Sequence, residues 1–258
     1  MAQCKAALGK TQGQEVSSEL SSTVVASFAK YQAKAQAEYE NKVVKTLLAK
    51  KAELEKELGD EIPLELPQEG GTTATVLVLH AKGVLAAWVG DSRAVAGIKE
   101  EGGEWRAEAL SVDHSIKDPK ERDRVFAAGG QTASKSAEDG KLAEMVCVPN
   151  AEGSLKVTRS LGDSPFHKND VVSHVPDLSH RELSPSLRFV IACSDGVWDV
   201  LSDADAVRLV IERLEATNGG NTASGACAAV VQAVKAKSDD ATPDDDVSVV
   251  VVVVRAKQ

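Results

Sequence analysis

Apolar and charged positions recur at helical spacing in the first part of the chain, from about residue 14 to 58. One apolar stripe lies opposite a face rich in Lys and Glu, and its members are Val16, Leu20, Val24, Phe28, Val43, Leu47, Leu54 and Leu58. Residues 11–14 have the spacing of an N-terminal capping box, and Gly59 with the two prolines after it ends the pattern. We predict one or two helices that pack on a core. A coiled coil is the alternative, although the stripe sustains no heptad.

The pattern then changes to that of β-strands. Apolar runs at 72–79 and 84–89, joined by a short turn, predict a hairpin, and runs at 93–98 and 105–112 predict that it continues as a meander. Such a meander needs a cover on one face. We therefore expect residues 14–58 to pack on it rather than to dimerise.

The second half of the chain mixes helices and strands. A proline at an early helical position and a Gly-Gly pair predict a short helix at 118–128, whereas residues 131–154 are polar and predict an irregular segment. Later runs predict a buried strand at 187–193, helices at 203–215 and 222–237, and a last strand at 247–254. We expect an α+β fold in which helices sandwich antiparallel sheets.

Composition and charge exclude several classes of protein. The chain has 258 residues, 43% of them hydrophobic, which is enough for a substantial core. A formal charge of -9 argues against general binding to nucleic acid or to an anionic membrane, and a six-valine run at 249–254 is too short to cross a bilayer. Four scattered cysteines form no C-x-x-C pair, and the first residues lack the apolar core of a signal peptide. We expect an intracellular protein, cytoplasmic or nuclear or both.

Three aspartates follow or precede the predicted strands. Asp195 comes two residues after the run that ends at Cys193, Asp245 lies just before the last strand, and Asp113 closes the fourth strand run. Each one alone is most simply a turn residue. If the three gather at one end of a sheet, they either hold protons or bind a hard cation such as Mg²⁺ or Mn²⁺. Gly196, next to Asp195, would permit a sharp turn and the close approach of a ligand.

Seven separated motifs occur in one order along the chain. They are Gly-Thr-Thr-Ala at 71–74, Gly-Asp-Ser-Arg-Ala at 90–94, Ser-Val-Asp-His at 111–114, Glu-Arg at 121–122 through Gly-Gly at 129–130, Leu-Lys-Val-Thr-Arg-Ser-Leu-Gly-Asp at 155–163, Cys-Ser-Asp-Gly-Val-Trp-Asp-Val-Leu at 193–201 and Asp-Asp-Val-Ser-Val at 245–249. With this series the chain resembles the metal-dependent (PPM or type-2C) protein serine/threonine phosphatases over about residues 14–254. A chance match to all seven motifs, as in an unrelated helical adaptor, is the weakest alternative.

The resemblance implies a single domain over residues 1–258, built as a four-layer α-β-β-α sandwich of two mainly antiparallel sheets, with residues 14–58 as flanking helices and 72–254 forming the sandwich and later helices. It implies two Mg²⁺ or Mn²⁺ ions and a weaker third, with Asp195 and Asp245 as ligands of the core pair and Asp113 joining Asp195 on the third. We expect the Asp195 and Asp245 carboxylates to lie within about 6 Å of each other, close enough to share or flank a cation.

The resemblance also implies the substrate and the chemistry. The substrate class is phosphoserine and phosphothreonine proteins, and in this family a metal-bound hydroxide attacks phosphorus directly. No cysteine lies in the phosphate-loop signature of cysteine phosphatases, which argues against a thiolate mechanism. Arg93, Arg159 and Asp163 are interpreted as mainly structural, and Trp198 as a packing anchor. We expect a monomer that binds neither nucleic acid nor membrane.

The resemblance fails at the start of the chain. Members of the family carry there a phosphate-gripping Arg, an acidic metal ligand and an Asp-Gly-His-Gly segment. This sequence has no Asp before Asp60, no His before His80 and no Arg before Arg93, and it lacks the family's first strands. No catalytic residue is therefore assigned. The chain is either a shortened form of an active enzyme, which the retained aspartates favour, or a pseudophosphatase that acts as a protein-binding module.

Overall fold

A computed structural model describes residues 18–59, 61, 70–136, 142–149, 151–216, 222–238 and 245–254. The chain divides into two units, which are described separately. The first unit comprises residues 1–21, 74–113 and 177–258, and the second comprises residues 22–73 and 114–176. The predicted capping box at 11–14 lies outside the described residues.

Six α-helices and eleven strands make up the described part of the chain. The helices are α1 (Ser18–Glu38), α2 (Lys45–Leu58), α3 (Pro119–Ala127), α4 (Asp195–Trp198), α5 (Asp203–Glu215) and α6 (Ala223–Lys237). The strands are β1 (Gly71–Thr72), β2 (Ala74–His80), β3 (Gly83–Val89), β4 (Arg93–Lys99), β5 (Trp105–Ala109), β6 (Gln131–Ser136), β7 (Leu142–Cys147), β8 (Leu161–Gly162), β9 (Asp177–Glu182), β10 (Leu187–Cys193) and β11 (Val249–Val253). A π-helical turn, Tyr39–Val44, joins α1 to α2, and a 3-10 segment, Ser164–Asp170, follows β8.

Two antiparallel sheets form the first unit. The larger has the strand order β11-β10-β4-β5 and the smaller has the order β2-β3-β9. Apolar side chains of both sheets share one buried cluster, which includes Trp88 of β3, Ala96 of β4 and Val190 of β10. Neighbouring residues of β10, Phe189 and Ile191, belong to a second cluster with helices α5 and α6. Strand β10 is thus buried on both faces, which explains its nearly continuous apolar run.

Helices α5 and α6 cover the other face of the larger sheet. Val207 and Val210 of α5 and Val230 and Val234 of α6 are buried in the same cluster as β10. Both helices begin at residues with capping side chains: Ser202 accepts from the amide of Asp205, and Thr222 accepts from the amide of Gly225. The predicted class, mainly antiparallel sheets layered with helices, is confirmed.

The second unit contains most of helix α1. Val24, Phe28 and Gln32 are buried on one face of this helix. The Gln32 side-chain amide donates to the carbonyl of Gly162 (3.0 Å) and accepts from its amide (2.7 Å), which ties the helix to strand β8. Gly59, with a φ of 78°, ends α2 as predicted. The packing of residues 14–58 on the first unit's strands stays a prediction, as does the single-domain assignment.

Two predictions about strands were wrong. Strands β3 and β4 do not continue one meander, because the chain passes from the smaller sheet to the larger one at Gly90–Ser92, so two hairpins lie in different sheets. Residues 131–136 and 142–147 are not irregular, since they form the paired antiparallel strands β6 and β7. The side chains of residues 131–135 are all exposed, so strand β6 needs no alternation of apolar and polar residues. No hydrophobic pattern in the sequence therefore predicted this strand.

Candidate active site

The candidate site lies at the edge of the larger sheet where β4 begins, β10 ends and β11 begins. In the sheet register, Cys193 pairs with Arg93 on one side and with Val249 on the other. The segments that carry the predicted ligands, after Cys193 and before Val249, therefore leave and enter the sheet at one edge.

Ser194 joins these two segments. Its amide donates to the carbonyl of Ser248 (3.1 Å), and its Oγ accepts from the amide of Ser248 (3.0 Å) and donates to the carbonyl of Asp246 (3.0 Å). The backbone of Gly196 makes the next contact with this segment. It lies so close to the Asp246 carbonyl oxygen that an added methyl group would overlap that oxygen. The close approach expected at Gly196 is thus made by the chain's own backbone.

Asp195 and Asp245 flank this pair of segments. Asp195 begins helix α4 and is half-buried, whereas Asp245 is exposed and its Oδ1 accepts from the amide of Asp246 (2.7 Å). The backbone contact between Gly196 and Asp246 brings their two segments together, as their positions around β10 and β11 led us to expect. A separation of about 6 Å between the two carboxylates, the distance at which a cation could be shared, stays a prediction.

Asp113 is held by an arginine. Strand β5 ends at Ala109, so Asp113 lies four residues beyond it rather than at its end. The Arg93 guanidinium donates from Nε to Asp113 Oδ1 and from Nη2 to Asp113 Oδ2, both at 2.8 Å, and from Nη1 to Asp203 Oδ1 at 2.6 Å. The hydrogen bonds to Asp113 raise the pKa of Arg93 well above its usual value, against the opposing effect of burial.

Trp198 supports this arginine from helix α4. The Arg93 Cζ lies 5.3 Å from the centroid of the indole ring, a cation–π distance. The indole Nε1 donates to the Cys193 carbonyl (2.9 Å), and the residue is 8% exposed. The interpretation of Trp198 as a packing anchor is confirmed. Asp203 was missed, because an acidic residue at the start of a helix is common without any partner.

A buried carboxylate organises the second unit. The side chain of Glu121 is 5% exposed and accepts from Arg159 Nη2 (2.6 Å), from Arg124 Nη2 (2.9 Å) and from Thr158 Oγ1 (2.6 Å). Burial alone would raise the pKa of Glu121, but the hydrogen bonds from Arg159 and Arg124 outweigh it and lower that pKa to about 2. The structural interpretation of Arg159 is confirmed.

The Leu-Gly-Asp motif has a packing role in the same unit. Asp163 adopts a left-handed conformation with a φ of 47°, and its carboxylate lies against Gly71, where a methyl group would overlap it. The Gly-Thr-Thr-Ala motif therefore begins with glycine because the Asp163 side chain occupies that space. This agrees with the structural interpretation of Asp163.

The described side chains do not complete a metal centre. Within the described ranges, no group of three or more His, Cys, Asp or Glu side chains has an arrangement that could hold a metal ion. Asp195 and Asp245 are two carboxylates, fewer than the protein ligands that a two-ion centre needs. Cys193, the cysteine nearest this site in sequence, does not supply a thiolate, because burial raises its pKa to about 12 and keeps it a thiol.

Comparison with known proteins identifies the family. The sequence profile of protein phosphatase 2C matches residues 4–241, most of the chain. The chain belongs to the protein phosphatase 2C family. This confirms the family resemblance inferred from the motifs.

Curated relatives and solved structures agree with this assignment. The chain is 34% identical to the probable protein phosphatase 2C 73 of Arabidopsis thaliana over 146 residues, which is 56% of this chain and 38% of that protein. It is 32% identical to protein phosphatase ppm-1.G of Caenorhabditis elegans over 189 residues, 70% of this chain and 33% of that protein. The chain thus spans between 33% and 38% of the length of these two relatives.

The fold also resembles those of solved structures. The structure of a serine-threonine phosphatase 2C from Toxoplasma gondii superposes with a TM-score of 0.61 at 20% identity, covering 94% of this chain and 72% of that one, which shows a shared fold. A C. elegans sex-determining protein superposes with a TM-score of 0.57 at 28% identity over 72% of this chain and 41% of that one.

None of the described helices has the length and apolarity needed to cross a bilayer.

Proposed function

We propose that this type-2C chain supplies most of a Mg²⁺- or Mn²⁺-dependent protein serine/threonine phosphatase domain, and that the chain as printed is impaired in hydrolysis. The observation that carries the proposal is the Ser194–Asp246 contact, which holds the segments of Asp195 and Asp245 at one sheet edge of a type-2C fold. The substrate class is phosphoserine and phosphothreonine proteins. The protein acts inside the cell as a monomer, without nucleic acid or membrane as a partner.

Asp195 and Asp245 are the proposed ligands of the core ions, and Asp113 is the proposed ligand of a weaker third ion. Aspartate oxygens suit Mg²⁺ and Mn²⁺, and both proposed core ligands lie near the strand ends, Asp195 two residues after β10 and Asp245 four residues before β11. When bound, such ions supply an activated water and neutralise phosphate oxygens. The role of this chain's own residues is to place the two carboxylates at the edge and to hold helix α4 there through Trp198.

The impairment follows from the residues that the sequence does not supply. A carboxylate that bridges two divalent cations offsets their mutual repulsion, and the printed sequence has no Asp before Asp60 to do so. No Arg precedes Arg93, so the phosphate also lacks its bidentate, charge-assisted contact. The two carboxylates of Asp195 and Asp245 alone do not hold two metal ions next to each other at ordinary metal concentrations.

The decisive experiment measures turnover with and without the missing residues. We expect the 258-residue chain to show negligible Mn²⁺-dependent hydrolysis of a phosphothreonine peptide or of p-nitrophenyl phosphate. Adding an N-terminal segment with the Arg, the acidic ligand and Asp-Gly-His-Gly should restore turnover, and Asp195→Ala in the extended chain should abolish it again. Robust turnover by the unextended chain, lost in Asp195→Ala, would contradict the proposal and point to a substitute ligand such as Glu15 or Glu19.

The alternative function is a pseudophosphatase whose phosphatase-like surface binds a partner protein. The observation in its favour is that the described side chains include no three-ligand metal group. This alternative predicts that the extended chain stays inactive although it folds. It also predicts that Asp195→Ala and Asp245→Ala leave binding of Mn²⁺ unchanged.

A further inference from the structure

A groove lies between helix α5 and strand β5, the last strand on one side of the larger sheet. Trp105 and Ala107 of β5 line one side of it. The other side is a face of α5 that presents Ala204, Val207, Arg208, Ile211 and Glu212. The groove has a volume of about 330 Å³, at the small end of the range for pockets that hold ligands.

The interior of the groove is apolar and its lining is fixed. The Trp105 ring packs on Phe189 with the ring centroids 5.7 Å apart, which holds the indole in place. The charged residues of the helical side, Arg208 and Glu212, bond to each other at 2.9 Å and neutralise each other. An apolar side chain is therefore the group that this groove accommodates best.

The hydrogen bonds between β4 and β5 show which backbone groups of β5 face away from the sheet. The amide of Leu110 donates to the Ala94 carbonyl at one end of the pair, and the amide of Glu100 donates to the Glu104 carbonyl at the other, both at 2.8 Å. Hydrogen-bonded residues alternate along an antiparallel pair. In the register of these two strands, the even-numbered residues of β5 therefore bond to β4.

The odd-numbered residues of β5, which are Trp105, Ala107 and Ala109, direct their N–H and C=O groups to the outer side of the sheet. In the part of the chain that the structure describes, β5 pairs with β4 alone, so its outer side can accept a further strand. Trp105 and Ala107 thus combine the apolar lining of the groove with backbone donors and acceptors beside it. This combination fits an extended peptide that pairs with β5 and places an apolar side chain against α5.

The charges near the groove favour a basic residue at one end of such a peptide. The turn between β4 and β5 carries Glu100, Glu101 and Glu104, all of them exposed. Arg106 pairs with Glu100 at 3.1 Å, whereas Glu101 and Glu104 form no ion pair with any described residue. Two uncompensated carboxylates therefore stand at the end of β5 that lies away from the candidate site, and they attract a Lys or Arg side chain.

We propose that this groove docks the phosphoprotein substrate through an extended segment that pairs with β5, with an apolar residue against α5 and a basic residue beside Glu101 and Glu104. The proposal rests on the proposed phosphatase function and names a second contact for its substrate. Because β5 is antiparallel to β4, its end at Ala109 lies at the same edge of the sheet as the start of β4 and the end of β10. A docked segment can thus continue from β5 toward Asp195.

The sheet spacing sets the length of that continuation. A docked strand would lie three strand spacings from β10, which is about 14 Å, and Ala107 lies two residues, or about 7 Å, from the end of β5. An extended chain advances about 3.3 Å per residue. At least about five residues must therefore separate the apolar docking residue from the phosphorylated one.

Binding of unphosphorylated peptides tests docking without any need for metal or turnover. The probes are the fluorescein-labelled peptide Lys-Lys-Thr-Leu-Thr-Val-Thr and its reversed sequence, titrated with the full 258-residue chain and followed by fluorescence anisotropy. We expect one of the two orientations to bind. Ala107→Pro removes an outward N–H without removing a bond to β4, so it should weaken binding about tenfold or more.

Two matched substitutions separate the groove from the rest of the helical layer. Ala204→Phe fills the groove from α5 and leaves the backbone of β5 intact, so it should weaken binding about as much as Ala107→Pro. Ala228→Phe makes the same change at an exposed alanine of α6 that does not line the groove, and it should have no effect. Glu104→Lys should weaken binding of the Lys-Lys peptide and strengthen binding of a Glu-Glu version. Shifts of the two peptides in the same direction would contradict the charge argument.

Amide hydrogen exchange in the wild-type chain gives a readout that needs no substitution. Strand pairing should slow exchange at the outward amides of Trp105 and Ala107, and it should leave Arg106 and Glu108, which already bond to β4, unchanged. Uniform slowing along β5 would contradict pairing as a strand even if Ala107→Pro failed to fold.

The remaining outcomes each overturn a stated part of the proposal. No binding of either peptide overturns it, and so does binding that Ala107→Pro and Ala204→Phe leave unchanged. A dimer in sedimentation velocity that Ala107→Pro separates would also overturn it, because the occupant of the outer side of β5 would then be a second copy of the chain. Failure of peptide binding leaves the proposed function standing, whereas peptide binding by a chain whose extended form stays inactive overturns the substrate role of the groove.

Discussion

Neutralising Glu121 gives a direct measure of what the buried ion network contributes to stability. In Glu121→Gln, the two arginines lose a carboxylate that is 5% exposed and accepts their hydrogen bonds, while the size of the side chain is kept. A pKa lowered from 4.5 to about 2 corresponds to roughly 3 kcal/mol of extra stability for the folded protein at neutral pH. Breaking a buried ion pair from one side typically costs about 3–5 kcal/mol, which agrees.

The pH dependence has a definite sign. Because the folded state lowers the pKa of Glu121, the stabilisation is complete above the unfolded-state pKa of 4.5 and is lost as pH falls through the folded-state value of about 2. The difference between wild-type and Glu121→Gln chains should therefore be constant from pH 7 to about pH 5 and shrink at lower pH. Urea unfolding followed by far-ultraviolet circular dichroism measures this difference at each pH.

Asp123→Asn is the matched control. It makes the same carboxylate-to-amide change on helix α3, but Asp123 is exposed, so we expect a change of at most about 0.5 kcal/mol. The reasoning is refuted if Glu121→Gln costs no more than the control at pH 7. A cost that persists undiminished down to pH 2.5 would show that shape, rather than charge, supplies the stabilisation.

Two further substitutions test the backbone contact at Gly196 and the outer strand β11. Gly196→Ala should lower the free energy of unfolding by about 1–3 kcal/mol, because its methyl group would overlap the Asp246 carbonyl, whereas the same change at Gly102, which lies in open space, should have little effect in urea titrations. Val250→Lys places a charge on β11, the last strand of its sheet, at a residue that is 55% exposed. We expect the variant to aggregate more slowly on heating, measured by light scattering, with an unchanged urea midpoint. Equal aggregation rates for the two chains would mean that chains do not associate through the outer strand β11.

The sequence predicted those elements whose burial matches their spacing. Strand β10 was predicted from its nearly continuous apolar run, and helices α5 and α6 were predicted at 203–215 and 222–237. The capping side chains of Ser202 and Thr222, seen in the structure, account for where these helices begin. Sheet membership was not predictable in the same way. The step from β3 to β4 depends on packing between two sheets, and local alternation is identical in a meander and in two separate hairpins.

The candidate site was likewise predicted only in part from the sequence. The sequence predicted that the segments carrying Asp195 and Asp245 leave and enter the sheet at the same end, and the register of β10 with β11 agrees with this. Their role as metal ligands stays a prediction. The partners of Arg93 lie 20 and 110 residues away in the chain, and no local pattern connects them. A lone charged side chain in a sequence does not reveal which opposite charge it meets, so Asp203 and the commitment of Asp113 to Arg93 required the structure.

Metal binding, rather than turnover, distinguishes the two candidate functions in the chain as it stands. A shortened enzyme and a pseudophosphatase both predict that the 258-residue chain is inactive, so a negative assay favours neither. They differ in what the carboxylates at the sheet edge are for. In an enzyme, Asp195 and Asp245 bind a cation even before the centre is complete, although weakly, because two carboxylates still attract a hard divalent ion. In a binding module these side chains need no cation, and their removal should change partner binding instead.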